Sequence, residues 1–191
     1  MDRYFKVCNC CCCCYQKTGI LYFLHQHGID VAVITETHLS PDKKFVLPEH
    51  CFIRLDRDSA GGGVAIAVRR GIGYKVLSSL QTVIKEALAV EIATSNGPII
   101  IIALYWPKRC SVADGSASRL KTDLQKLTRR GGRFLIAGDL NARHTAWGNN
   151  IMNSNGKVLA DDVQLGYYTV VHLSRQHSTH APDTAQHWTF S

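Results

Sequence analysis

Hydrophobic and polar positions along the chain follow two periods. In residues 18–27 the apolar side chains Ile20, Leu21 and Leu24 recur at helical spacing and Gly28 follows as a stop, which predicts a first helix. Residues 30–35 (DVAVIT) form a short apolar run bounded by polar residues, the pattern of a buried strand. Residues 4–8 predict a strand ahead of the helix, and residues 41–48, with Pro41 and Pro48 at their ends, predict a loop. A β-rich stretch follows, with strands expected at 51–55, 63–69, 74–79, 87–93 and 98–105. Asn96-Gly97 marks a hairpin turn between the last two. Residues 116–128 predict a helix ended by Gly131-Gly132, 133–137 (RFLIA) a buried strand, 156–165 a helix and 168–173 a strand.

Strands outnumber helices, and the helices stand far apart. That order suits an α/β sandwich of two packed sheets with helices outside better than a doubly wound parallel sheet. Neither a repeat nor a linker divides the chain, so residues 1–191 are expected to be a single domain. Thr189-Phe190-Ser191 stop without a turn or tail, and the domain is expected to be incomplete at its C-terminus.

Composition narrows the class. Of 191 residues 46% are hydrophobic and 19% charged, which is globular rather than disordered. The formal net charge of +7 favours an anionic partner, nucleic acid first among them. No apolar run reaches the roughly 20 residues a membrane span needs, and Met1-Asp2-Arg3-Tyr4 lacks the apolar core of a signal peptide. An intracellular protein with reduced thiols and no membrane partner is expected. Six of the eight cysteines, Cys8 and Cys10 to Cys14, form one low-complexity patch over 8–14. A zinc site needs a second ligand pair at suitable spacing, and Cys51 and Cys110 are isolated, so no zinc is expected.

Candidate chemistry stands where predicted strands end, since a rigid sheet presents such residues to a cleft. Glu36 follows the strand 30–35, Asp139 and Asn141 follow the strand 133–137, and Asn9 follows the first strand. These are hard oxygen ligands and amides, the donors that Mg²⁺ or Mn²⁺ takes alongside water and substrate phosphate. Taken singly each has another reading: Glu36 also fits a loop start or helix cap, and Gly138-Asp139-Leu140-Asn141 is also good turn chemistry. Gly61-Gly62-Gly63 precedes a strand rather than a helix, so a bulge or tight turn is the better reading than a phosphate cradle. The basic residues Arg119, Lys121, Lys126, Arg129, Arg130 and Arg133 suit either phosphate contact or a solvated helix face.

The ordered combination is more specific than its parts. Glu36-Thr37-His38, then Gly61-Gly62-Gly63-Val64-Ala65-Ile66, then Tyr105-Trp106-Pro107, then Gly138-Asp139-Leu140-Asn141-Ala142-Arg143-His144 leading into Trp147-Gly148, then Asn155-Gly156, follow one another. From about Gly19 to the end this set resembles the endonuclease domain of jockey-like non-LTR retrotransposons, of the endonuclease/exonuclease/phosphatase superfamily. The resemblance implies a four-layer α/β/β/α sandwich, here with its C-terminal strands missing, and metal-dependent nicking of target DNA. It implies a metal-binding role for Glu36, water positioning or deprotonation for Asp139, and steadying of the phosphoryl group by Asn141. It further implies a hydrogen bond from Tyr105 to the scissile phosphate. His38, and His144 and Trp147 near Asn141, are candidate substrate contacts, with a core aromatic as the other reading of Trp147. Asn9 stands at about the distance before Glu36 of the family's N-terminal asparagine, although Cys8 precedes it and the cysteine run follows.

The family's C-terminal Ser-Asp-His motif does not occur in this sequence. A missing phosphate donor costs on the order of 10²–10³ in rate, so slow nicking or none is expected of the 191 residues alone. The alternatives are another phosphoesterase of the same fold, an abasic-site endonuclease or phosphatase, and a non-catalytic remnant that at most binds DNA. DNA is the expected partner, with no obligate protein partner, a reverse transcriptase region in the parent protein, and action in the nucleus.

Overall fold

The computed structural model describes residues 5–11, 17–57, 61–78, 80–83, 86–107, 116–129, 131–166, 168–170 and 186–190. Two sheets form. The first contains β1 (Phe5–Cys11), β2 (Val31–Thr35), β3 (His50–Leu55), β4 (Val64–Arg69) and β9 (Gln186–Phe190), in the order β3-β4-β2-β1-β9. The second contains β5 (Tyr74–Leu77), β6 (Ala87–Ile92), β7 (Ile99–Tyr105) and β8 (Arg133–Asp139), in that order. Each sheet has one parallel pair, β1 with β2 and β7 with β8, and each pair is joined through a helix. These helices are α1 (Lys17–Gln26) and α2 (Ser116–Thr128), and α3 (Ser154–Gln164) follows β8.

Strand parity builds the layers. Successive side chains of a strand point to opposite faces. In β2, Val31 and Val33 enter the core between the sheets, while Ala32 and Ile34 pack outward with Ile20, Phe23 and Leu24 of α1. In β4, Val64, Ile66 and Val68 face inward and Ala65 and Ala67 face α1. In β7, Ile99, Ile101, Ala103 and Tyr105 face the inner core, while Ile102 and Leu104 pack with Leu120, Leu124 and Leu127 of α2 and Leu159 of α3. The result is the α/β/β/α arrangement, and it explains why β2, β4 and β7, covered on both faces, read as continuous apolar runs.

Several boundaries differ from the sequence expectation. Asn9 lies inside β1, opposite Val33, because the strand runs on to Cys11. Cys12 to Cys14 lie outside the described residues, so the cysteine patch is seen only as Cys8, Cys10 and Cys11 in β1. Asp139 ends β8 rather than following it, because Gly138, at φ 148°, continues the ladder where a Cβ would overlap the Leu104 carbonyl. Residues 168–170 form no strand, and the rest of the expected 168–173 strand lies outside the described residues. Gln186–Phe190, where no strand was expected, pairs antiparallel with β1 and is the outermost strand of that sheet among the described residues. Five residues of mixed polarity carry too little pattern to mark a strand, even with Pro182-Asp183 ahead of them.

Candidate active site

The carboxyl ends of β2, β7 and β8 meet at one end of the sandwich, and β2 touches both β7 and β8 across the interior. Tyr105 is the last residue of β7 and has inward parity, so its ring lies between the sheets with only 8% of its surface exposed. From there its hydroxyl donates a 2.8 Å hydrogen bond to Glu36 Oε1, just past β2. Asp139, paired in register with Tyr105, has the inward parity of Ala137. Burial, the bond to Glu36, and then the Glu36, Asp139 and Glu86 carboxylates all push the Tyr105 pKa up, so the phenol remains a proton donor.

The segment after β8 is held by its own backbone chemistry. Asn141 takes φ 46°, a left-handed conformation that Asn tolerates. Its N–H donates to Asp139 Oδ1 at 2.8 Å and its Nδ2 donates to the Trp106 carbonyl at 2.7 Å. Asn153 then donates to the Asn141 carbonyl at 2.7 Å, and Asn155 to the Leu140 carbonyl at 3.0 Å. Asn153 also caps α3 by accepting from Gly156 N. Thus the Asn155-Gly156 motif, distant from Asp139 in sequence, braces the loop that carries Asn141.

The three glycines form a tight turn ahead of β4, as their position before a strand predicts. All have positive φ, at 84°, 72° and 87°. Their carbonyls receive the next turn: Thr37 N donates to Gly63 O at 3.3 Å and His38 N to Gly62 O at 3.0 Å. Glu36 and His38 themselves adopt φ 53° and 51°, uncommon for residues with a side chain and frequent at functional sites. Buried Glu86 accepts from Gly63 N at 2.6 Å and forms an ion pair with Arg57, whose guanidinium lies 5.9 Å from the Tyr105 ring centre. Nothing in the sequence marks Glu86, and Arg57 stands out there only as a neighbour of the glycine motif, without a role. The pair spans 29 positions and has no local pattern that could have marked it.

The structure thus brings Glu36 and Tyr105 into contact, with Asp139 and Asn141 beside them. Asn9 is placed only by strand register, opposite Val33 on the neighbouring strand. His38 is exposed on the turn after Glu36, beside Gly61. His144 and Trp147 pair with each other, ring centres 5.0 Å apart, and their hydrogen bonds stay within their own loop: His144 Nδ1 accepts from Ala146 N and Trp147 Nε1 donates to Ala142 O. Of the basic run, Arg133 starts β8, at the strand end opposite Asp139, and is tied to the Asn96 carbonyl. A cavity of about 630 Å³ lined by His25, Gly28, Pro48, Glu49, Arg69 and Arg70 also lies away from the site, past the end of β4 that carries Arg69.

Among the described residues no three His, Cys, Asp or Glu side chains converge as a metal-binding group. A zinc cage needs such a group. Mg²⁺ and Mn²⁺ do not, since one or two carboxylates plus water and phosphate suffice. Glu36 and Asp139, bordering one phenol, fit that donor set.

Residues 8–191 match the Endonuclease/Exonuclease/phosphatase family. The RNA-directed DNA polymerase from mobile element jockey of Drosophila funebris is 29% identical over 151 residues, covering 78% of this chain and 16% of that protein. Its Drosophila melanogaster counterpart is 30% identical over 153 residues, with the same coverage. The chain therefore spans only about 16% of the length of these relatives. Among solved structures, the endonuclease domain of TRAS1, a telomere-specific non-LTR retrotransposon, superposes with a TM-score of 0.66 at 19% identity, over 86% of this chain and 73% of that one. The AP endonuclease LMAP from Leishmania major also gives 0.66, at 13% identity, over 85% of this chain and 66% of that one. At such identities these structures speak for the fold, and the family match over nearly the whole chain carries the assignment: the chain belongs to the endonuclease/exonuclease/phosphatase family.

Proposed function

We propose that this chain is the endonuclease region of a non-LTR retrotransposon protein and nicks target DNA by metal-dependent phosphodiester hydrolysis. The observation that carries the reading is the Tyr105–Glu36 hydrogen bond between the two sheets, with Asp139 next to Tyr105 in register. The jockey relatives, themselves RNA-directed DNA polymerases, support a parent protein with a reverse transcriptase region. The net charge of +7 suits a polyanionic substrate, and chromosomal DNA as target implies action in the nucleus. No helix among the described residues is long and apolar enough to cross a membrane.

Glu36 and Asp139 would hold or border Mg²⁺, with Asn9 of the neighbouring strand as a further donor. The bound cation would neutralise charge developing on the phosphoryl oxygens. Asp139, one oxygen fixed by the Asn141 amide, accepts the proton of the attacking water. The water oxygen bonds to phosphorus, one P–O ester bond breaks, and the departing sugar oxygen is reprotonated from solvent. Asn141 is oriented by the Trp106 carbonyl to steady the phosphoryl group. Tyr105 has a single proton, which here serves Glu36. Transferred to a phosphate oxygen, the same donation stabilises the crowded, charged transition state. His38, on the turn after Glu36, and His144, in the loop after Asn141, would contact DNA by stacking or hydrogen bonding. Trp147, which packs against the outer layer of α2 and α3, would support the His144 ring.

The test is nicking of supercoiled plasmid with protein in excess, so that a slow rate is still read, together with Mn²⁺ titration. Mg²⁺-dependent nicking and a single Mn²⁺ site, both abolished by Glu36→Gln, with nicking also abolished by Asp139→Asn, are expected. No Mn²⁺ site and no nicking, or nicking indifferent to both substitutions, overturns the proposal.

A further inference from the structure

The site has a construction problem. Glu36 extends from one sheet, while Tyr105 and Asp139 end strands of the other. Face-packed sheets are joined by apolar contacts, which fix volume but not the lateral position of one strand end against another. Something must hold the Glu36 turn, with its two left-handed residues, at a set distance from Tyr105.

Glu86 is placed to do this. It is 7% exposed and stands immediately before β6. Its backbone carbonyl accepts from Tyr105 N at 3.0 Å, which ties it to the end of β7. Its side chain reaches across to the other sheet, where Oε2 accepts from Gly63 N at 2.6 Å, just ahead of β4. Its Oε1 accepts from Arg57, which follows β3, and the Arg57 guanidinium lies over the Tyr105 ring. The glycine turn gripped in this way then accepts Thr37 N and His38 N through Gly63 O and Gly62 O. A Cβ at Gly62 would stand 2.6 Å from Glu86 Oε2 and 2.7 Å from Arg57 Cζ, so the glycine also makes room for the pair. One residue therefore joins, through three hydrogen bonds and their continuation, the end of β7, the start of β4 and the turn carrying Glu36.

We infer that Glu86, clamped by Arg57, is a positioning residue: it fixes the turn that carries Glu36 and sets its place against Tyr105 and Asp139. Its buried carboxylate has a reason to be there beyond stability, since a buried ion pair adds little net stabilisation over an apolar substitute. The functional part of this inference rests on the proposed metal-binding role of Glu36. Its structural part does not.

Amide hydrogen exchange and Mn²⁺ titration of the 191-residue chain, parent against Glu86→Ala and Glu86→Gln, separate the two. In Glu86→Ala the amides of Thr37, His38 and Gly63 are expected to lose protection, while those of β2 and β7 retain it. Mn²⁺ affinity is expected to fall about 10-fold, toward the lower end of the cost of removing a ligand's direct outer partner, because Glu86 acts on Glu36 through the glycine turn. Glu86→Gln keeps the volume and one acceptor and should fall between, and it serves if the alanine variant does not fold. Parental protection at Thr37 and His38 in a folded variant overturns the inference, as does lost protection with unchanged Mn²⁺ affinity. If the parent binds no Mn²⁺, or Glu36→Gln binds it as the parent does, the metal reading of Glu36 has failed, and the amide protection still decides the role of Glu86.

Discussion

Tyr105 has one proton to give, and its surroundings keep that proton in place: burial first, then Glu36, and then Asp139 and Glu86, all of which oppose ionisation. Tyr105→Phe removes the donor while leaving the ring in the core. The expected result is a fall of about 10²–10³ in the single-turnover nicking rate, the usual cost of one preorganised donor, with DNA affinity unchanged. A parental rate would assign the phenol to packing alone. Tyr105 came only with the family resemblance, whereas Glu36, Asp139 and Asn141 could be picked out in the sequence because each follows an apolar run, where a polar residue is conspicuous. Arg57 and Glu86 could not. An ion pair between distant positions is set by tertiary packing, and neither residue sits in a pattern that singles it out. The left-handed φ of Glu36 and His38 was equally invisible, since it is imposed by the glycine turn against which they pack.

At the scale of elements, strands end where chemistry or backbone freedom allows. In β8 the ladder passes through Gly138 to reach Asp139. A Cβ there would run into the Leu104 carbonyl, so Gly138→Ala should lower the urea midpoint and push Asp139 out of register with Tyr105. Retention of both midpoint and nicking rate would contradict the close approach. His50, which opens β3, is 3% exposed. Its Nε2 lies 3.1 Å from the Ile29 carbonyl, an acceptor only, so Nε2 carries the proton, and Nδ1 has no partner. Burial pushes the His50 pKa below the ordinary 6.5, outweighing the opposite pull of the Ile29 bond. The folded chain thus binds fewer protons here than the unfolded chain, and the associated stability is complete above about pH 6.5 and is lost as pH falls below it. Urea unfolding from pH 7.5 to 5 should show a steeper acid loss in the parent than in His50→Gln; identical slopes would contradict this. Helix α2 was legible to its exact ends because its apolar positions and the following glycines agree, whereas β9 lacks any such agreement and β1 hides its length in a cysteine run whose residues are neither clearly apolar nor turn-forming.

The whole molecule works as a frame in which apolar layers bring two sheet ends together. The alternation that sends Ile101 inward and Ile102 outward is written in the sequence as an unbroken apolar run, so the layer order could be deduced but not which face met which partner. Ile101 is 2% exposed, and Ile101→Ala should cost about 2–5 kcal/mol by urea unfolding, because the sheets cannot close on the lost volume. A loss below about 1 kcal/mol would mean the interior repacks freely, and the separation of Glu36 from Asp139 would then not be held by the frame. The most direct measurement is paramagnetic broadening by Mn²⁺ of assigned amide signals. One ion shared by both sheets should broaden the amides of residues 36–38 and of residues 139–141 in parallel at the same Mn²⁺ concentration, and Glu36→Gln should abolish both. Broadening confined to one sheet end, or centred elsewhere, would contradict a metal-dependent site assembled from Glu36 and Asp139.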